Sequence, residues 1–211
     1  MTEASTINYE ATKKPSKVCF VTIGATASFD KLLRAVLDSS FLEALCKAEY
    51  TELLVQYGKE KGKAICETFI SREHDNVKRT CGINIAGFDF NTNGLGEQMR
   101  KAKGGPENSS KEGLVISHAG SGTILDALRI GVPLVVVPNT ELLHNHQVEL
   151  AEELAKQEYV VHGNLNDLAV AISEAEKLRE RKSQWPPPNS GDESYKRGLA
   201  GVMDDEMGWV D

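Results

Sequence analysis

The sequence predicts an α/β domain built on a mainly parallel sheet. Short apolar runs of strand length alternate with stretches of helical periodicity almost from end to end, which is the pattern of strands joined by crossover helices. The length of 211 residues is enough for one large domain or two very small ones. Two strand-like runs, ending at Ile23 and Ile116, each lead into a turn rich in Gly, Ser and Thr. In open parallel sheets ligands bind outside the carboxyl ends of the strands, so both turns are candidate site loops.

Residues 1–16 are polar and are expected to be a disordered arm. Val18–Ile23 reads as a buried strand broken by Gly24, and Ser28 or Asp30 can cap a helix carrying Leu32, Leu33, Val36 and Leu37. A second helix through Phe41, Leu42 and Leu45 precedes a strand from Glu52 to Tyr57. Residues 58–81 are densely charged and weakly periodic, which predicts a flexible insertion. "INIAGFDF" (83–90) is another strand, Leu95 to Ala102 a short helix, and "KGGPENSSKEG" a loop into the strand Leu114–Ile116. Thr123 to Ile130 then has Ile124, Leu125 and Leu128 on one helical face, Gly131 marks its stop, and Leu134–Val137 is a strand between two prolines. A helix from about Asn145 to Gln157, a short strand Tyr159–Val161, and a helix capped by Asn164 with Leu168, Ala171, Ile172, Ala175 and Leu178 inward complete the domain at about residue 182. In residues 183–211, Pro186–Pro188 predict a stiff spacer. A weak amphipathic helix follows, capped by Asp192 and carrying Tyr195, Leu199, Val202 and Met203.

Composition narrows the function classes. The formal charge of −7 argues against a nucleic-acid or polybasic membrane surface as the main partner. No apolar run approaches the roughly 18 residues of a membrane span, and the polar N-terminus has no signal-peptide pattern. The four cysteines show no metal or redox spacing, which points to reduced thiols in a cytosolic setting, with Cys19 and Cys46 in apolar patterns. His144 and His146, two apart at a helix start, splay apart without a nearby Cys or acid cluster, so no metal site is expected.

The densest motif is "ISHAGSGTILD", strand to small-residue turn to helix. That geometry aims backbone N–H groups out of a helix start, where the helix dipole also favours an anion. A P-loop is excluded, since no Gly-Lys-Ser/Thr occurs. A dinucleotide fingerprint fits poorly, because Leu125 stands where its third glycine belongs. A nucleotide-sugar site fits better: the diphosphate rests on the helix start and Asp126, one turn beyond Thr123, reaches the ribose hydroxyls. The bland alternatives stay open on residues alone. Gly120 and Gly122 also serve a tight turn, Ser121 or Thr123 a helix cap, Asp126 the helix dipole, and His118 a hydrogen-bonded core position.

"ISHAGSGTILDALRIGVPLVVVPN" together with "HNHQVELAEEL" resembles the donor-binding half of glycosyltransferases that have two facing Rossmann-like domains, the MurG-like group of family 28. "VCFVTIGATASFDKLL" and "IAGFDF" are similar to the same half, and the likeness runs over about residues 17–180. It implies a single Rossmann-like domain equivalent to the C-terminal half of the two-domain (GT-B) fold. The branch it most resembles transfers N-acetylglucosamine from its UDP donor to dolichol-diphosphate-N-acetylglucosamine, in building the lipid-linked oligosaccharide of N-glycosylation. The resemblance implies that Gly120, Ser121, Gly122 and Thr123 hold the diphosphate, with Asp126 in place of a ribose-binding acid that is often Glu. It puts Asn145 and Gln147 at the donor sugar, Gly24 and Thr26 in the facing loop, and His118 near the diphosphate. The implied reaction is direct displacement with inversion, needing no metal and no cofactor.

Two facing domains need more chain than one set of strands supplies, and a dolichol-linked acceptor lies in a bilayer. The resemblance therefore implies a heterodimer. A separate membrane-anchored subunit would bind the acceptor, docking through the C-terminal segment, and would hold this chain at the cytosolic face of the endoplasmic reticulum. No general base is evident here. A non-catalytic nucleotide-sugar-binding regulatory module is the rival reading.

Overall fold

The computed structural model describes residues 14–24, 28–139 and 146–184. The elements run β1 (Ser16–Thr22), α1 (Asp30–Val36), α2 (Ser39–Lys47), β2 (Glu52–Gln56), α3 (Glu60–Cys81), β3 (Asn84–Phe88), α4 (Gly96–Lys103), β4 (Ser110–Ser117), α5 (Ser121–Ile130), β5 (Leu134–Val136), α6 (His146–Lys156), β6 (Val161–His162) and α7 (Leu168–Gln184). The six strands form one parallel sheet in the order β3-β2-β1-β4-β5-β6. The chain builds outward from β1 in one direction, then returns to β4 and builds in the other. The reversal between β1 and β4 opens a crevice at their carboxyl ends.

Strand side chains alternate between two cores. Cys19, Val21, Leu53, Val55, Leu114, Ile116 and Val135 face α1, α2, α3 and α7. Val18, Phe20, Val115, Leu134 and Val136 face α4, α5 and α6 through Met99, Ala127 and Leu154. Because both faces are covered, the strands read as continuous apolar runs. Gly131, at φ +73°, stops α5 where the sequence places its end.

The prediction of a flexible insertion over 58–81 is wrong. Residues 60–81 form one 22-residue helix, α3. Gly62, Cys66 and Val77 are buried on it, and Ile65, Phe69 and Ile70 pack partly against the core. These positions follow a 3.6-residue period, but the charged residues around them dilute the apolar signal because most of the helix surface faces solvent. Gly62 allows the close crossing, since a Cβ there would lie 2.0 Å from the Tyr57 carbonyl oxygen.

Smaller corrections concern caps and ends. Neither Ser28 nor Asp30 caps α1: the N-cap residue is Phe29, with no side-chain bond, and Asp30 pairs with Lys61 instead. Asp167, not Asn164, stands at the start of α7 and accepts the Val170 N–H at 3.4 Å, while Asn164 accepts from Asn166. The last strand is Val161–His162, two residues beyond the expected start, and Cys46 is only partly buried. The expected arm lies almost wholly outside the described residues, as do the proline spacer and the C-terminal helix.

At the amino end of the sheet a buried ion network fastens α7. Lys17, 4% exposed, donates to Glu176 at 2.9 Å and to the Ala48 carbonyl at 2.8 Å, with its ammonium 4.3 Å from the Tyr50 ring centre. The Tyr50 hydroxyl donates to Glu176 at 2.7 Å, and Arg179 pairs with Glu176 while donating to the Glu112 carbonyl. One carboxylate thus joins α7 to the starts of β1 and β4 and to the α2–β2 turn.

Candidate donor-binding site

The crevice is built by the chain leaving β1 at Thr22-Ile23-Gly24 and β4 at Ser117-His118-Ala119-Gly120, followed at once by α5. Gly120 is the N-cap residue of α5 and supplies no side chain; no side-chain cap bond forms there. The cap reading of Ser121 and Thr123 therefore fails. The first intrahelical bond runs from Ile124 N–H to the Gly120 carbonyl at 3.0 Å. The N–H groups of Ser121, Gly122 and Thr123 precede it and have no acceptor within the helix. Gly122 is exposed, and a Cβ built on it meets nothing within 4 Å. The helix start thus carries polar hydrogens without intrahelical acceptors and positive dipole, with open space beside Gly122 among the described residues.

The loop leading to this start is strained. Ala119 is buried and holds φ +68°, a left-handed conformation that non-glycine residues seldom adopt. Beside it, the His118 ring is wedged between two glycine backbones. A Cβ on Gly24 would lie 2.3 Å from His118 Cε1, and one on Gly120 would lie 2.6 Å from Nε2. Gly24 itself has φ +76°. Burial pushes the His118 pKa below its ordinary value, against an upward pull from the Thr22 main chain. The ring is therefore neutral at pH 7, offering one N–H. Its buried Nδ1 has no hydrogen-bond partner, nor has the Ser117 hydroxyl, which is fully buried next to it in the chain.

Two other predicted site residues lie on neighbouring helix starts. Asp126, one turn along α5, is 57% exposed and lies 3.8 Å from Arg129, so a ribose hydroxyl would compete with that ion pair. Gln147 is in the first turn of α6 with its Oε1 buried and unpartnered. Thr26 and Asn145 lie outside the described residues, as does His144. Three surface cavities of about 600, 580 and 670 Å³ lie against α7 and β6, at the amino end of the sheet, and between α1 and α3; none of the three includes these residues. The sequence reading passed over Thr22, Gln56 and Ser117. Each is a polar residue closing an otherwise apolar strand, and that placement is the signal that could have found them.

A doubly wound parallel sheet with a glycine-rich helix start at its switch point defines an α/β nucleotide-binding domain. The chain belongs to the glycosyltransferase family 28 C-terminal domain family, whose sequence model matches residues 18–186. It is 33% identical over 205 residues to the UDP-N-acetylglucosamine transferase subunit ALG13 of Eremothecium gossypii, covering 90% of this chain and 92% of that one. The protein of the same name from Cryptococcus neoformans is 34% identical over 206 residues, covering 90% and 96%. Among solved structures, the NMR solution structure of ALG13 superposes with a TM-score of 0.57 at 26% identity, over 89% of this chain and 96% of that one.

Proposed function

We propose that this chain is the donor-binding, catalytic subunit of a two-chain inverting glycosyltransferase. It moves N-acetylglucosamine from UDP-N-acetylglucosamine to dolichol-diphosphate-N-acetylglucosamine. The observation that carries the reading is the start of α5 at the sheet's switch point, where three N–H groups have no intrahelical acceptor and, among the described residues, nothing fills the space beside Gly122. A UDP diphosphate laid there gains the helix dipole and several charge-assisted hydrogen bonds. The names of the relatives support the substrate and the subunit character.

In this mechanism the acceptor hydroxyl attacks the anomeric carbon from the face opposite UDP and gives up its proton to a base supplied by the partner subunit or the interface. UDP leaves with the electron pair of the bond to the sugar, so that the configuration inverts. Negative charge builds on the β-phosphate as the bond to the sugar breaks. The N–H groups of Ser121, Gly122 and Thr123, fixed before the reaction begins, stabilise that charge without reorganising. His118 packs against Gly24 and Gly120 and so shapes the loop beside the same oxygens. Asp126 accepts from the ribose, and Gln147 with Asn145 reads the sugar hydroxyls. The acceptor-binding subunit, membrane-anchored and docked through residues 183–211, closes the site over the sugar, excludes water and aligns the attacking hydroxyl. Through it the chain works at the cytosolic face of the endoplasmic reticulum. In this reading that subunit brings the lipid acceptor to the site; among the described residues no helix is long and apolar enough to cross a membrane.

The decisive experiment compares the purified chain alone with the chain added to membranes depleted of the endogenous subunit. Transfer to the lipid acceptor should appear only in the second. Robust transfer by the free chain on a soluble acceptor analogue refutes the two-chain reading, and UDP binding without transfer in the complex favours a regulatory module.

Asp126→Ala should weaken donor binding by about 1–3 kcal/mol, the scale of a hydrogen bond to a charged group. Donor KM is the readout. A drop in thermal stability with unchanged KM would reduce Asp126 to a helix-surface charge held by Arg129.

A further inference from the structure

We propose that Thr22 and Gln56 are a positioning pair for the donor site, holding the Gly24 turn against His118. The inference rests on the donor-site reading above. Thr22 ends β1 and Gln56 ends β2, directly opposite each other in the parallel register. Thr22 is 0% exposed and Gln56 is 1% exposed. They share a sheet face with Val18, Phe20 and Val115.

An apolar pair of similar shape would suit that face. Replacing both partners of a buried hydrogen bond by apolar groups is close to neutral for stability. Core packing therefore gives no reason for Thr and Gln. Their bonds give one. The Thr22 hydroxyl donates its single proton to Gln56 Oε1, which leaves its oxygen as an acceptor, and the Gly24 N–H donates to that oxygen at 3.2 Å. This bond bends the chain out of β1 into the left-handed conformation of Gly24.

Gly24 in turn limits His118. Its Cα is so close to the ring that an added Cβ would lie 2.3 Å from Cε1 and 2.5 Å from Nε2. On the other flank Gly120 is anchored by its place at the start of α5. On the Gly24 side, the contact among the described residues that holds the main chain is the Gly24 N–H to the Thr22 oxygen. The path runs from Gln56 to Thr22, then through Gly24 to the imidazole.

The test uses Thr22→Val, which keeps the shape and deletes both bonds, Thr22→Ser, which keeps the hydroxyl, and Gln56→Leu. On the free chain, calorimetry measures UDP affinity, thermal melting measures stability, and NMR titration follows the His118 signal, assigned by its loss in His118→Gln. In the reconstituted complex, donor KM and kcat are measured separately. The double variant Thr22→Val/Gln56→Leu, which removes both partners, should melt within a few degrees of the parent. The two single variants each leave a buried polar group unpaired and should melt lower by about 2–12 °C. Both should raise the UDP Kd and donor KM roughly tenfold, as expected for one lost positioning bond, with a smaller change in kcat. Loosening the Gly24 turn should also admit water to the ring and move the His118 pKa up toward its ordinary 6.5. Thr22→Ser should restore all three readouts.

Parent-like UDP affinity and an unmoved His118 pKa in Thr22→Val overturn the inference. So does a loss that Thr22→Ser fails to restore, because that marks packing and not the hydroxyl. If the parent chain itself does not bind UDP, the donor-site reading fails, and the His118 response decides the positioning claim alone.

Discussion

A Gly122→Val variant should lose about a hundredfold or more in transfer while remaining folded. Gly122 is the second residue of α5, and the space its side chain would enter is open. Among the described residues nothing lies within 4 Å of a Cβ there, and valine is slightly better than glycine inside a helix, by a few tenths of a kcal/mol. The melting temperature should therefore stay level or rise. On the function proposed above, that space is the approach path of the diphosphate to the α5 N–H groups. A branched side chain in it pushes the phosphate off donors whose individual loss costs about 10²–10³-fold at comparable anion sites. Transfer in the reconstituted complex and a thermal melt of the free chain together check this. Parent-level transfer would place the diphosphate somewhere other than the start of α5.

Glu176→Ala should produce the largest loss of stability available from a single polar side chain in the described structure. Glu176 accepts from Lys17 and Tyr50 and pairs with Arg179, and Lys17 is almost wholly buried. Burial already pulls the Lys17 pKa below its ordinary value, with Glu176 opposing that pull. Removing the carboxylate leaves the ammonium with the Ala48 carbonyl and the Tyr50 ring as its close contacts. Breaking a buried pair from one side costs about 3–5 kcal/mol; because Glu176 is 20% exposed, about 2–3 kcal/mol is the fitting scale. For a chain of this size that lowers the melting temperature by about 4–12 °C. The network lies at the amino end of the sheet, opposite the α5 start, so UDP affinity measured well below the melt should be unchanged. A shift of under a degree would show that water replaces the carboxylate at no cost.

These two residues differ in how far the sequence reveals them. Gly122 belongs to a contiguous motif, strand to glycine-rich turn to helix, whose role follows from local geometry. Glu176 and Lys17 are 159 positions apart, and nothing near either residue announces the other. The same division runs through the fold. Strands with buried apolar centres, such as β1 and β4, were legible because an apolar run leading into a glycine-rich turn has few other uses. The long helix α3 was not, although its buried positions keep the helical period. It lies on the outside of α1 and β3, so only a narrow stripe of it needs to be apolar, and its charged surface reads as a loop. The caps of α1 and α7 were misplaced because Asp30 is claimed by Lys61 across the fold and Asp167 reaches the first turn where Asn164 does not.

By itself the sequence determined the class of the domain, the alternation of strands and helices, and the glycine-rich loop of Gly120–Thr123 at a helix start. These follow from periodicity and from backbone geometry within a dozen residues. The tertiary structure alone decided that β1 and β4 lie side by side at the switch point. It also placed Gly24 against the His118 ring and tied the Gly24 turn through Thr22 to Gln56. Those contacts join segments 34 and 94 residues apart. Close packing of distant segments fixes them, and local preferences carry no record of it.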